Sequence, residues 1–369
     1  MPVTTKVLLL SDTYSEHTEK WALGLASSGV EVGIFSFNKS SYPWYKDRQN
    51  ITVLYEPEDR LVAGSESGKL SYLRHVKTLK KAIRQFKPDI LHAHYATSYG
   101  LIGALSGFHP FVISAWGTDV MKFPQKNMIN KWILKYNLRK ADAICATSHT
   151  IKAYLKPVTD KPVHVIPFGV DVEVFKKKEV NSLFAKGTFV FGSIKPLEEL
   201  YNTAVLISAF ARLKQKYPEK LLKLLIIGEG SQMEELKNHA DGLVVSKDVV
   251  FTGRIPFSKV SVYFNMLDVL VNISDYESFG VAVIEAMACE KAVIVTNTGG
   301  LKEVVENSTF GSLVAVKNVE ETFREMEKYV NDPLLTREVG LNGRKKVLEK
   351  YNWINNIREM ISVYNTLLK

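Results

Sequence analysis

With 369 residues, 46% of them apolar and 24% charged, the chain is too long for one ordinary core and fits two α/β domains of roughly 150–200 residues each. No apolar run approaches the roughly 18 residues of a membrane span, and the first ten residues read as a short strand rather than a signal peptide, so a cytoplasmic protein is expected. The net charge of +9 is unevenly placed: residues 1–180 hold 25 Lys and Arg against 16 Asp and Glu, whereas residues 181–369 hold 23 of each.

Residues 6–10 are a strand, 19–28 a helix closed by Gly29, and 30–35 a second strand, a βαβ start. Residues 38–68 are polar, with Tyr42-Pro-Trp-Tyr45 and Gly64-Ser-Glu-Ser-Gly68, and read as a long loop, mobile or facing an acceptor. Residues 69–87 carry seven basic residues and no acid. Leu70, Leu73, Val76, Leu79, Ile83 and Phe86 recur there at helical spacing, which predicts a basic amphipathic helix.

Pro88-Asp-Ile-Leu-His-Ala-His94 is a strand running into a histidine-bearing loop, and residues 111–115 lead to Trp116-Gly-Thr-Asp119. A second acid-free stretch, residues 122–140, sets Lys126, Lys131, Lys135, Arg139 and Lys140 beside Phe123, Trp132, Ile133, Leu134 and Tyr136. The two basic stretches are either solvated faces of core helices or a surface for anionic lipid headgroups; no nucleic-acid module is found, and no nucleic-acid partner is expected. Residues 141–147 form another strand, residues 163–171 close a first domain spanning 1–175, and residues 176–186 are the predicted linker.

The alternation repeats in a second domain, 185–351, with strands at 189–194 and 222–227 and a helix at 201–216. Gly228-Glu-Gly230 lacks the third glycine and the spacing of a dinucleotide fingerprint and is read as a turn. Cys145 and Cys289 lie in apolar stretches without ligand-like spacing, which points to buried thiols rather than a disulfide or a metal site.

The most informative stretch is Ser274-Asp-Tyr-Glu-Ser-Phe-Gly-Val-Ala-Val-Ile-Glu-Ala-Met-Ala-Cys289. Residues 268–273 read as a buried strand and Gly280 as the turn into a helix, so Glu277 sits in a strand-to-helix loop, where open α/β sheets bind ligands and helix N-termini draw anions. Glu285 falls among apolar residues, where an unpaired carboxylate costs several kcal/mol. Either the two carboxylates grip hydroxyls of one polyhydroxy ligand, or Glu277 is solvated and Glu285 pairs with a buried cation.

This Glu-x7-Glu pattern resembles the signature of retaining glycosyltransferases, and the following Lys291-Ala-Val-Ile-Val-Thr-Asn-Thr-Gly-Gly300-Leu-Lys-Glu303 is similar to the second strand and glycine turn of glycosyltransferase family 4. Glu290 and Ala292 depart from the Gly and Pro usual there. The resemblance covers roughly residues 3–350 and implies an α/β fold of the GT-B type, two doubly wound Rossmann-like domains facing across a cleft. Residues 352–369, with Trp353, Ile357 and Met360 as their apolar stripe, then pack back on the first domain as a final helix.

What the resemblance implies for the site is a nucleotide diphosphate sugar, UDP- or GDP-linked, in the second domain. Glu285 then binds the ribose, Glu277 faces the donor sugar, and Ser278, Phe279 and Gly280 line sugar and phosphate. The family's Gly-Arg-x4-Lys-Gly loop reads Gly192-Ser193-Ile-Lys195-Pro-Leu-Glu198-Glu199, which leaves Lys195 as the loop's one cation, serving either the diphosphate or the surface. Backbone N–H groups at Gly280 and at Thr298-Gly299-Gly300 add anion stabilisation, and Arg254 lies in the segment contacting the base. In the first domain the usual Gly-Gly loop is absent. His17 and Thr18, in a His-Thr-x-x-Trp pattern, face the cleft, unless His17 merely starts a helix. Trp116 replaces the usual histidine of His-Gly-Ser-Asp, His94 is the candidate substitute, and Asp119 either orients the acceptor or caps a helix.

The implied activity is retaining sugar transfer to an acceptor hydroxyl, without metal or other cofactor and without a covalent enzyme nucleophile; no Asp-x-Asp clamp is present. A basic first domain suits a glycan or lipid-linked acceptor at the inner face of the membrane. Two other classes share the scaffold: a sugar-nucleotide epimerase or hydrolase, which would carry further acid/base groups near Glu277, and a non-catalytic lipid- or nucleic-acid-binding protein, suggested by Ser193 and Trp116.

Overall fold

Runs such as Lys6–Leu10 (KVLLL) and Ala292–Thr296 (AVIVT) are apolar at nearly every position, the mark of strands covered on both faces. The computed structural model, which describes residues 4–57 and 72–369, places such runs in two wholly parallel sheets. The chain divides into two compact units, Met1–Pro167 with Ile354–Lys369, and Phe168–Trp353.

In the first unit, β1 (Lys6–Leu10), α1 (Glu16–Ser27), β2 (Glu31–Phe35), β3 (Ile51–Tyr55), α2 (Val76–Phe86), β4 (Ile90–His94), α3 (Ser98–Ser106) and β5 (Phe111–Ala115) are followed by the short α4 (Thr118–Met121). Then come α5 (Met128–Lys140), β6 (Ala143–Ala146), α6 (His149–Leu155) and β7 (Val163–Val165). The strand order is β3-β2-β1-β4-β5-β6-β7. The segment 38–68 is therefore not one loop. Ile51-Thr-Val-Leu-Tyr55, β-branched and aromatic, pairs with β2 as the edge strand; its polar flanks hid it from sequence reading. The Gly64–Gly68 segment and Leu70 lie outside the described residues.

The second unit contains β8 (Phe189–Ile194), α7 (Thr203–Lys216), β9 (Leu222–Ile227), α8 (Met233–Gly242), β10 (Val249–Phe251), α9 (Phe257–Met266) and β11 (Val269–Asn272). It continues with α10 (Val281–Ala288), β12 (Ala292–Thr296), α11 (Gly299–Val305), β13 (Ser312–Val314), α12 (Val319–Asn331) and α13 (Pro333–Lys350), in the strand order β10-β9-β8-β11-β12-β13. Its core packs Phe191, Leu224, Val269 and Ile294 of the sheet against Leu206, Phe210 and Met326 of the helices, all nearly inaccessible. Burial of each such side chain stabilises the fold by about 1.5–3 kcal/mol.

The last helix, α14 (Trp353–Leu367), buries Ile357, Met360, Val363 and Tyr364. Within the first unit the Asn356 amide donates to the Pro167 carbonyl at 2.6 Å. The passage between units differs from the predicted linker at 176–186. The chain changes unit at Pro167 and Phe168, and residues 168–178 are fastened to the second unit. Val170 bridges Asn352, and the Arg344 guanidinium donates to the carbonyls of Phe175, Ala288 and Val172 at 2.7, 2.8 and 3.2 Å. Apolar residues inside an otherwise charged stretch, Phe175 above all, hold it there by packing beside Phe264.

Candidate active site

In each sheet the chain order reverses between two central neighbours, β1 and β4 in the first unit and β8 and β11 in the second. Loops leaving the C-terminal ends of such strand pairs diverge and leave room for a ligand. The second unit sets a charged pair at this point. Lys195 follows β8, Glu277 lies on the loop after β11, and their Nζ and Oε1 atoms are 2.6 Å apart with side chains only 14% and 13% exposed. Ser274 donates its hydroxyl to the same Glu277 oxygen at 2.7 Å, and Thr296 donates to the Ser274 carbonyl at 2.5 Å. Burial works to raise the Glu277 pKa. The Lys195 ammonium and hydrogen bonds from Lys195, Ser274 and Asn272 outweigh it and hold the carboxyl below the usual range.

Glycines on neighbouring loops make this geometry possible. A Cβ on Gly228 would stand 1.9 Å from the Lys195 carbonyl oxygen and one on Gly230 would stand 2.2 Å from that of Leu197. The Gly228–Gly230 turn is thus the bed on which the Lys195 loop lies, joined by Leu197 N–H to the Glu229 carbonyl at 2.9 Å. Across the site, Gly300 lies against the backbone of Ser278 and Phe279, where a Cβ would come within 2.4 Å of the Phe279 Cα. Its N–H donates to the Glu277 carbonyl at 2.8 Å. In this structure the Gly300 N–H, expected to serve a ligand, fixes the Glu277 loop. Gly280, at φ 110°, is the N-cap of α10 and brings no capping side chain of its own, and the leading N–H groups of a helix suit an anion.

Other second-unit candidates sit as follows. Glu285 is buried in α10, 6% exposed. The Phe279 ring turns into the interior, 6.3 Å from Phe168 and 5.5 Å from Tyr351, so it anchors the loop instead of lining it. Gly192 lies within β8 and makes room for Leu267, whose Cδ2 would be 2.4 Å from a Cβ there, which explains this glycine by packing. Ser193 is buried beside it. Glu198, where the resemblance expects lysine, accepts from the Ser231 N–H at 2.9 Å and from its hydroxyl, and so ties the Lys195 loop to the start of α8. The Arg254 backbone N–H donates to Glu229 at 3.2 Å. Sequence reading missed Ser274, Thr296 and Asn272; a polar residue closing the apolar run Val-Leu-Val-Asn272 was the available signal.

In the first unit the reversal gathers His17, Thr18, His94 and Trp116 into one cluster. Ser11, just past β1, links the Thr18 hydroxyl at 2.7 Å to His94 Nδ1 at 2.9 Å. The Trp116 ring lies 4.6 Å from that of His94 and meets His17 edge-on at 5.7 Å. His17 also occupies the first turn of α1. His92, behind His94, contacts Tyr364 of α14 at 2.6 Å and Ser114 at 2.8 Å. Burial drives the His92 pKa down to about 3, that of His17 to about 4, and that of His94 well below its ordinary value. Asp119, 3% exposed, accepts from the backbone N–H groups of Ala96 at 2.7 Å, Gly117 at 2.8 Å and Trp116 at 3.2 Å. Burial raises its pKa against those bonds. Asp119 sits within the first turn of α4, which no side chain caps, and its contacts tie the loop after β4 to the loop after β5. Among the described residues no group of three His, Cys, Asp or Glu is arranged to hold a metal ion.

The family description Glycosyl transferase 4-like matches residues 6–148, and Glycosyl transferases group 1 matches residues 174–346. The chain is 23% identical over 295 residues to N-acetyl-alpha-D-glucosaminyl L-malate synthase of Bacillus anthracis, covering 76% of this chain and 75% of that one. It is 24% identical over 336 residues to alpha-monoglucosyldiacylglycerol synthase of Streptococcus pneumoniae, covering 84% and 75%. Among solved structures it is similar to Anabaena HepE in complex with UDP and glucose, with a TM-score of 0.76 at 17% identity over 98% of this chain and 100% of that one. With both units matched in sequence and the two parallel sheets matched in fold, the chain belongs to glycosyltransferase family 4, as a retaining glycosyltransferase of GT-B fold that uses nucleotide sugars.

Proposed function

We propose that the second unit binds a nucleoside diphosphate hexose at the Lys195–Glu277 pair and transfers the hexose, without a metal ion, to an acceptor hydroxyl. The observation that carries this reading is the 2.6 Å contact of an ammonium and a carboxylate, both largely buried, at the point where the strand order reverses. An arriving diphosphate competes for the ammonium, which turns from Glu277 to the phosphate oxygens, and the freed carboxylate accepts hydrogen bonds from sugar hydroxyls. As the bond between the anomeric carbon and the diphosphate oxygen breaks, negative charge gathers on the leaving phosphate. Lys195 and the leading N–H groups of α10, with Gly280 and Ser278 beside them, stabilise it there. One such preorganised donor is worth about 2.7–4 kcal/mol. The leaving phosphate oxygen takes the proton of the acceptor hydroxyl, and the new bond to the anomeric carbon forms on the same face, so the configuration is retained.

Glu285 is assigned to the ribose hydroxyls and Arg254 to the base segment. In the first unit His17, Thr18, His94, Trp116 and Asp119 shape the acceptor side, with Asp119 acting through the loops it holds. UDP is the favoured donor base, because HepE, which shares the fold, is seen with UDP and glucose. The acceptor is a cell-surface glycan or lipid-linked glycan met at the inner face of the membrane, with the protein cytoplasmic and peripheral. The charge excess of residues 1–180 and the likeness to a glycolipid synthase support this placement. The test is release of nucleoside diphosphate from UDP-, GDP- and ADP-hexoses, with and without EDTA. Turnover of a UDP-hexose undiminished by chelation is expected. Loss of turnover in EDTA, restored by Mg²⁺, would overturn the metal-free assignment.

A further inference from the structure

The two basic helices of the first unit carry like charge and differ in what they do with their apolar side. In α2, Leu79, Ala82 and Phe86 are buried while Lys77, Lys80, Lys81 and Arg84 face solvent, the ordinary outer face of a core helix. In α5 the inward side is held by Asn130, Leu134, Asn137 and Leu138, with Asn137 donating to the Ala96 carbonyl at 2.9 Å. The opposite side is not polar. Met128 and Ile129, with Trp132 one helical turn further on, are 77%, 72% and 69% exposed. Lys126, Lys131 and Lys135 stand around them, and no acid occurs between residues 122 and 140. The start of the helix is fixed by Asn127, whose side chain accepts from the Asn130 N–H at 2.8 Å.

A hollow of about 640 Å³ adjoins this face, lined by Trp132, Lys135, Tyr136 and Arg139 of α5 and by the loop 158–162. The Trp132 and Tyr136 rings stack along its wall at 6.2 Å and 11°. The Arg139 and Lys140 cations lie over the Tyr136 ring at 5.8 and 6.0 Å. Lys161 donates to the carbonyls of Arg139 and Ala141 and adds charge at the C-terminal end of the helix. Asp160 is the single acid of the lining.

We infer that α5 is the bilayer-seating surface of this protein: Met128, Ile129 and Trp132 enter the headgroup region of an anionic membrane, and the hollow beside them takes a lipid headgroup phosphate between Lys135 and Arg139. The inference rests on the membrane placement given above and names the surface that achieves it. Tryptophan settles at headgroup depth, aliphatic side chains reach the acyl boundary, and lysines extend back to the phosphates. A protein partner fits less well. Standard interfaces engage about 20–30 residues a side and are depleted in lysine, whereas here three apolar side chains sit in a ring of lysines.

The test is co-flotation of the full chain with vesicles of phosphatidylcholine alone or with about one third phosphatidylglycerol, at low salt and at high salt. One variant carries Met128→Ser, Ile129→Ser and Trp132→Ala; a second carries Lys131→Glu and Lys135→Glu. Wild type is expected on anionic vesicles only, and each variant is expected to lose at least tenfold in partitioning. UDP release from the donor in solution, without vesicles, should remain at the wild-type rate in both. Wild type that stays off anionic vesicles, or variants that float as well as wild type, would overturn the inference. So would a wild-type dimer, seen without vesicles and lost in the triple variant, which would assign the face to a second copy. Because donor turnover is read separately, failure of the donor assignment leaves a different record: no turnover in any form of the protein, whatever the flotation result.

Discussion

The same sheet topology is put to different use at the two points of strand reversal. In the second unit the loops after β8 and β11 leave Lys195 and Glu277 paired but partly accessible, with Ser274 steering the carboxylate. In the first unit the equivalent loops turn their polar groups on one another. Asp119 is taken up by three backbone amides, His94 by Ser11, and His92 by Tyr364 and Ser114. The first arrangement is a charge pair that a diphosphate can split; the second is a scaffold. Substitutions at the Lys195–Glu277 pair should therefore register in donor turnover, and those at Asp119 and His92 in stability.

The largest effect that would break this contrast concerns Glu277. Glu277→Gln keeps the shape and the Ser274 contact and removes the charge that orients the sugar, so kcat/KM for the hexose donor should fall about 10²–10³-fold with little change in Tm. Steady-state kinetics alongside a thermal melt checks both halves; an equal loss of Tm would erase the distinction. Next in size, Asp119→Ala leaves the Ala96, Gly117 and Trp116 amides buried without their acceptor. Urea denaturation should show a loss of about 2–4 kcal/mol, and nucleotide binding should persist.

A smaller effect sharpens the comparison through pH. His92 is neutral in the fold, its pKa near 3, while in the unfolded chain it takes a proton below about 6.5. The unfolded state therefore binds more protons as pH drops. Stability associated with His92 is complete above about pH 6.5 and declines on acidification at about 1.4 kcal/mol per pH unit down to the folded value. Urea midpoints at pH 7.5, 6.5 and 5.5 should show this decline in wild type and a flatter one in His92→Gln.

Long, strongly patterned elements were legible in the sequence because their side chains report burial directly. The apolar runs of β1, β11 and β12 and the helix α10 with its inserted Glu285 are of this kind. β3 escaped because an edge strand with one open face, bracketed by polar residues, carries little hydrophobic signal. The Glu277 loop was visible from its spacing. Its partner Ser274 was not, since only folding shows that a hydroxyl three residues back reaches the carboxylate. The roles of glycines were least legible: Gly228 and Gly230 bed the Lys195 loop, and Gly192 makes way for Leu267, contacts between residues far apart in the chain. Likewise a basic stretch does not disclose whether its apolar residues point in, as in α2, or out, as in α5.

The most direct measurement is calorimetric titration of UDP-hexose into wild type and Lys195→Ala at matched salt. If Lys195 receives the diphosphate, affinity should fall about 100-fold in the variant, measured at a temperature where both forms are folded because loss of the buried partner also lowers the melting point. An unchanged dissociation constant in Lys195→Ala would contradict the assignment and leave the Lys195–Glu277 contact as a structural ion pair.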